Sequence, residues 1–461
     1  MKIQASRAGV VFILAVAGLG GLLYGIDFGI IATASPYIKS LGLFTDAQLS
    51  WIVGAVLFGG ILSSLSAGML AERFGRRRMI VASALVFLAA VPMVCLSERS
   101  FWGMAAARVL QGMSAGYMSV VMPMYLAETL PPEIRGRGTG VFQTFLILGL
   151  VAAASVGLAV ARFVGAADAP CDVVSDAAKS LAWKINFWWT LLPVTALFLG
   201  SLRLPESPVW LKNGNAANGQ SEVGTGNSSA LASFDKLLSR RYVVPFLLVV
   251  AVLTLNKTTG MSSVTSWSVM IFNKAGFGGA LGNAGDLAMK LANLAATVAA
   301  TWLVDRVGRR ALLKVGTAGM AAGLATTGCV FLAIERFGAA PGLATGAVAL
   351  LALLVMQSFY AIGPGVCVWL VLSELMPQRI RANGMAIALF MNQFVAWGLA
   401  SSFLPWVNAW SWHSMFFFFA ANGAAYFAVS LLIPETKGKS LDELEHLFDK
   451  TREGGYENVQ S

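Results

Sequence analysis

Hydrophobic positions in this chain gather into long runs separated by short polar stretches. A helix crossing the roughly 30 Å hydrocarbon core of a bilayer needs about 20 mainly apolar residues, because every backbone N–H and C=O in lipid must be satisfied within its own segment. Runs of that kind fall at residues 8–33, 50–71, 79–97, 101–126, 138–163, 187–204, 242–272, 283–304, 311–334, 341–374, 382–406 and 413–433. The pattern predicts an all-α polytopic membrane protein with twelve transmembrane helices. The first run, preceded by Lys2 and Arg7, is too long for the apolar region of a secretory signal and is read as a retained helix.

Composition agrees. Of the 461 residues, 57% are hydrophobic and 12% charged, a balance that does not suit a water-soluble chain. The formal charge of +10 is a topology signal, since the basic residues are spread over alternate loops and form no single stripe. Most Lys and Arg fall on the segments that share a side with both termini, while Lys39, Arg99, Arg162, Lys179, Lys184, Lys274, Lys290 and Arg336 are assigned to loops of the other side. Both termini are therefore expected in the cytoplasm, and no nucleic-acid partner is expected. The four cysteines have no metal-ligand spacing. His413 and His446 are far apart in sequence with no acid-base partner evident, which argues against an enzyme.

Two sequence patterns recur six helices apart. Arg73-Phe74-Gly75-Arg76-Arg77, after the second run, is matched by Arg306-Val307-Gly308-Arg309-Arg310, after the eighth. Glu128 with Arg135-Gly136, after the fourth run, is matched by Glu374 with Arg381 and Gly384, after the tenth. Two parallel six-helix halves produce such a repeat. The expected organisation is an N-terminal bundle over 1–204, a cytoplasmic linker with short amphipathic helices over 205–241, a C-terminal bundle over 242–434 and a tail over 435–461. Charged residues at the cytoplasmic mouths can pair across the halves, Arg73, Arg76 and Arg77 with Glu128, and Arg306 and Arg309 with Glu374. With Arg135, Asp305 and Arg381 they make a predicted inner gate. The plainer alternative is that these arginines only fix topology.

On these motifs, together with Pro205-Glu206-Ser207-Pro208 after helix 6 and Pro434-Glu435-Thr436-Lys437-Gly438 after helix 12, the chain resembles the sugar porters of the major facilitator superfamily. The resemblance implies the major facilitator fold and a secondary transporter of the plasma (inner) membrane. It also implies a monosaccharide and protons as partners, a proton gradient in place of any cofactor, and a monomer. Asp27 in helix 1 and Arg108 in helix 4 match the acid and base that couple proton-driven members. A carboxylate beside a guanidinium stays ionised, and separating the two in an apolar site favours the protonated acid. A static strut between helices 1 and 4 is the alternative. Gln143, Asn293, Trp369 and Asn392 match sugar-contacting places, with Tyr24 a further candidate; amides in membrane helices also serve as interhelical ties.

Helix 7 departs from the family, because Asn256-Lys257-Thr258-Thr259-Gly260 stands where two glutamines are usual. Asn256 can still supply an amide. Lys257 can hydrogen-bond a neutral sugar, take part in coupling, or select an anionic substrate such as a sugar acid. A non-transporting sensor and an exporter of amphipathic compounds are competing readings; the short tail disfavours the first and the amide-rich cavity the second.

Overall fold

The structure is a computed structural model that describes residues 7–165, 174–217, 243–368, 375 and 381–435. Among these residues the chain is helical throughout, with α1 (Arg7–Ser40), α2 (Asp46–Phe74), α3 (Arg76–Leu96), α4 (Phe101–Thr129) and α5 (Pro132–Phe163) forming the first five crossings. The sixth is a pair, α6 (Asp176–Trp188) and α7 (Leu191–Ser201), and the short α8 (Pro208–Ala217) follows it. The seventh is again a pair, α9 (Val243–Thr258) and α10 (Met261–Ala275). Then come α11 (Ala280–Val307), α12 (Arg309–Arg336), α13 (Leu343–Tyr360) with a π-turn over Ala361–Gly365, α14 (Arg381–Trp410) and α15 (Trp412–Leu432). This is an all-α membrane protein with the twelve-helix fold, and the expected linker helix around residues 231–238 lies outside the described residues.

Each interruption has a local cause. Pro193 has no N–H to return to the Trp189 carbonyl, so the chain passes from α6 to α7 through a tightened turn. Gly260 adopts φ 74°, and a Cβ there would lie 2.4 Å from the Phe419 ring, so only glycine fits between α9 and α10. Pro364 similarly breaks the tenth crossing within its π-turn. The sixth crossing starts at Asp176, eleven residues before the apolar run, because α6 is amphipathic and its buried face includes Lys179, Trp183 and Phe187. Lys179 and Lys184, expected in a loop, are helical.

Within the first half, α1 packs on α5 and α2 on α4; within the second, α12 packs on α13 and α15. Glycines set the closest of these approaches. A Cβ at Gly25 of α1 would lie 1.8 Å from the Leu146 carbonyl oxygen of α5, and one at Gly112 of α4 would lie 2.0 Å from the Val56 carbonyl oxygen of α2. The halves meet through α1 with α10, α2 with α14 and α5 with α11. Outward-facing apolar side chains such as Trp102, Phe163, Leu192 and Trp302 cover the flanks, as a lipid-facing surface requires.

Candidate functional site

The end at which α2 meets α3 and α11 meets α12 carries Arg73, Arg76, Arg77, Arg306, Arg309 and Arg310 and is called here the basic end. At the opposite end the halves are closed upon each other. Asn408 of α14 donates to Asp46 of α2 (2.6 Å), and the Leu404 N–H donates to the Ser50 hydroxyl (3.1 Å). Lys39 pairs with Asp46 at 3.0 Å, and about two turns deeper than Ser50 and Leu404 the Phe58 and Trp397 rings lie 5.4 Å apart. Below this seal a cavity of about 1010 Å³ runs between the halves from Phe28 and Leu57 to Val304 and Arg309 at the basic end.

The cavity wall takes residues from both halves. Tyr24, Gln143, Lys257 and Asn293, all expected at the site, line it. Asn256 and Asn392 lie behind the wall instead. Asn392 is 3% exposed and donates to the Leu253 carbonyl at 2.9 Å, tying α14 to α9, while Asn256 is screened from the cavity by Tyr360. Trp369 lies outside the described residues. Sequence reasoning missed Gln357, Tyr360, Gln393 and Lys290, which also face the cavity. Gln393, one helical step from the expected Asn392, is the one of the two that faces the cavity.

Asp27 and Arg108 meet in the first half at 2.9 Å, each 1% exposed. The same Arg108 nitrogen also donates to Gln111 (2.8 Å), and the guanidinium lies 5.5 Å from the Phe187 ring. The second carboxylate oxygen of Asp27 has no partner among the described residues. Asp27 borders a separate space of about 20 Å³, enough for one water, that shares Tyr24, Phe28, Leu57 and Gln393 with the central cavity.

Lys290 corrects the sequence reading, which assigned it to a loop. It lies on α11 with Asp286 one turn before it, the two paired at 2.7 Å and almost fully buried, and Ser268 of α10 donates to the same acid. The i,i+4 spacing inside the eighth apolar run was the available signal.

Arg76, Arg77, Glu128 and Glu206 make contacts within the first half, and Arg309, Arg310 and Glu435 make contacts within the second. Arg76 pairs with Glu128 at 2.9 Å, joining α3 to α4, and Ser207 donates to the other Glu128 oxygen. Arg73 instead stands over the Phe74 ring, and Arg77 donates to the Leu202 carbonyl. Glu206 accepts from the Arg77 N–H (3.0 Å), and Glu435 accepts from the Arg309 and Arg310 N–H groups (3.1 Å each). The two Pro-Glu motifs therefore perform one task twice, capping the first turns of α3 and α12 just after Gly75 (φ 93°) and Gly308 (φ 97°). Glu374 lies outside the described residues; Arg135, Asp305 and Arg381 are placed on α5, α11 and α14 by their backbones. Arg306 is exposed, and Arg309 reaches the cavity mouth.

At the closed end Glu98 accepts from Lys184 (2.6 Å) and Ser180 (2.6 Å). Burial pushes its carboxyl up, but those bonds and the charges of Lys184 and Arg99 outweigh it, leaving Glu98 below the usual carboxylate range. His413, expected to lack an acidic partner, contacts Glu335 at 2.7 Å; the same carboxylate caps the Trp412 and His413 N–H groups.

An arabinose-proton symporter of Bacillus subtilis (strain 168) is 27% identical over 464 residues, covering 96% of this chain and 95% of that protein. A galactose-proton symporter of Escherichia coli (strain K12) is 26% identical, covering 97% and 96%. The crystal structure of a D-xylose-proton symporter superposes with a TM-score of 0.77 at 24% identity, over 94% of this chain and 99% of that one, which shows a shared fold. The family model for sugar (and other) transporters matches residues 10–448. With its helices, repeat and loop motifs all within that match, the chain belongs to the sugar transporter family, whose members are carriers and not enzymes.

Proposed function

We propose that the protein is a proton-coupled symporter of a monosaccharide that works by alternating access. One observation carries the reading: a cavity walled by both halves is sealed at one end and reaches the other, beside a buried acid with one unpartnered oxygen. The halves over 1–204 and 242–434 rock about that cavity, joined by the linker over 205–241. With the basic end and both termini in the cytoplasm of a plasma-membrane protein, the conformation here opens inward. Asn408, Asp46, Ser50 and the Phe58–Trp397 contact form the outer seal that parts in the other state.

Tyr24, Gln143, Asn293 and Trp369 hold the sugar, through stacking on its ring faces and hydrogen bonds to its hydroxyls. Asp27 carries the coupled proton. Ionised, it holds Arg108 and ties helix 1 to helix 4; protonated, it loses the ionic part of that hold and loosens the tie. The Arg76–Glu128 pair and the Glu206 and Glu435 caps shape the inner mouth. The protein works as a monomer and draws its energy from the proton gradient. Uptake of xylose, arabinose and galactose into proteoliposomes, recorded with external pH, tests this. Alkalinisation that accompanies sugar entry supports symport, and sugar entry with no proton movement would sink it.

A further inference from the structure

Of the ionisable side chains at mid-depth among the described residues, two pairs cancel their own charge. Asp27 neutralises Arg108 at 2.9 Å and Asp286 neutralises Lys290 at 2.7 Å. Lys257 remains. It lines the central cavity, and among the described residues its ammonium has no ionic or hydrogen-bonding partner. In this open conformation cavity water can solvate it. Occlusion removes that water, and a lone ammonium in an apolar interior is strongly disfavoured. A neutral sugar brings no charge to offset this.

We propose that the transported substrate is a monocarboxylate sugar acid, a hexuronate or an aldonate, whose carboxylate pairs with Lys257. The inference rests on the carrier reading above and names the substrate class of the same site. Three further features fit. The seventh crossing breaks at Gly260, so α10 begins at Met261 beside the cavity, with no side chain capping its first turn. Met261 and Ser262 line the wall, which places unsatisfied helix N–H groups and the positive end of a helix dipole close in sequence to Lys257. Gln357, 2% exposed, lines the wall with its carbonyl oxygen turned away from the cavity, which leaves its amide NH2 as the donor on the cavity side. Among the described residues, a wall with one uncompensated cation and an amide donor matches a polyol with a single negative charge. A phosphate dianion would leave one charge unmatched, since Lys290 is already held by Asp286.

The test compares chemically matched probes. Proteoliposomes containing wild type, Lys257→Gln or Lys257→Arg are offered D-glucuronate, D-galacturonate and D-gluconate, and in parallel D-glucose, D-xylose, L-arabinose and D-galactose, under the same proton gradient. The expected result is accumulation of at least one acid by wild type. Half-saturation for that acid rises about 30-fold or more in Lys257→Gln and stays within about 5-fold in Lys257→Arg. The transported acid should also raise the melting temperature of purified wild type and not that of Lys257→Gln, which separates lost binding from misfolding. Accumulation of neutral sugars, with no acid transported or competing, would overturn this inference and leave the carrier standing. Wild-type acid transport by Lys257→Gln would overturn it too. No uptake of either class would overturn both the inference and the carrier reading.

Discussion

Asp27→Asn keeps the shape of the side chain and removes only its charge and its ability to take a proton. The asparagine carbonyl can still accept from the Arg108 nitrogen that now lies 2.9 Å from the carboxylate, so the hydrogen bond survives and the ionic part is lost. For charge centres about 4 Å apart at an effective dielectric of about 20, that part is about 4 kcal/mol. Breaking a buried pair from one side costs a similar amount, about 3–5 kcal/mol, because the partner stays buried and charged. Arg108 keeps that hydrogen bond, Gln111 and the Phe187 ring face, none of which carries a negative charge. The stability loss should therefore fall at about 2–4 kcal/mol once the retained hydrogen bond is allowed for. Adding Arg108→Gln should recover part of it, since the stranded charge goes with it. Transport reads the second consequence. A gradient of about 2 pH units can sustain about 100-fold accumulation of a substrate linked to one proton, at about 1.4 kcal/mol per unit. Asp27→Asn should lose that accumulation in proteoliposomes and still exchange labelled for unlabelled substrate across the membrane with no gradient. If Asp27→Asn concentrates substrate against its gradient as wild type does, the coupling role of Asp27 is refuted, whatever its effect on stability.

Two further outcomes are expected. Asp286→Asn should destabilise the detergent-solubilised protein by about 3–5 kcal/mol by stranding the Lys290 ammonium, and Asp286→Asn with Lys290→Met should regain most of that loss; equal melting of all three proteins would show that the pair carries no such strain. Glu98, whose carboxyl is held below its usual range by Lys184 and Ser180, should contribute stability above the unfolded carboxylate value of about 4.3 and lose it as pH falls through its lowered folded value. Melting curves of wild type and Glu98→Gln should then differ near neutral pH and converge on acidification, and a gap independent of pH would contradict the assignment.

The helices were legible because lipid imposes one rule on every crossing, and a run of apolar residues is a direct image of that rule. Asp27 and Arg108 stood out for the same reason, since charges are rare in such runs; that the two meet was implied by the family resemblance. Pair geometry at the ends was not. Sequence places Arg73, Arg76 and Arg77 equally near Glu128; which of them reaches it depends on the turn made at Gly75, whose φ of 93° aims Arg76 at α4 and hands the next N–H to Glu206. Lys290 was missed because hydropathy alone scores a charge inside a helix and one in a loop alike, whereas the spacing from Asp286 could have told them apart. Asn392 and Gln393 sit about 100° apart on one helix, and only the packing of α14 against α9 decides which faces the cavity.

The glycine contacts bear on how such a molecule can move. Where Gly25 meets the Leu146 backbone and Gly112 meets that of Val56, main chain touches main chain with no side chain able to change rotamer between them, so those helix pairs cannot slide or roll without collision. The two sides of the closed end instead meet through hydrogen bonds such as Asn408 to Asp46 and Leu404 to Ser50 and through the tilted ring contact of Phe58 with Trp397. Such contacts can be exchanged for water one at a time. The chain thus concentrates its mechanical stiffness inside each bundle and leaves compliance at the seam between them.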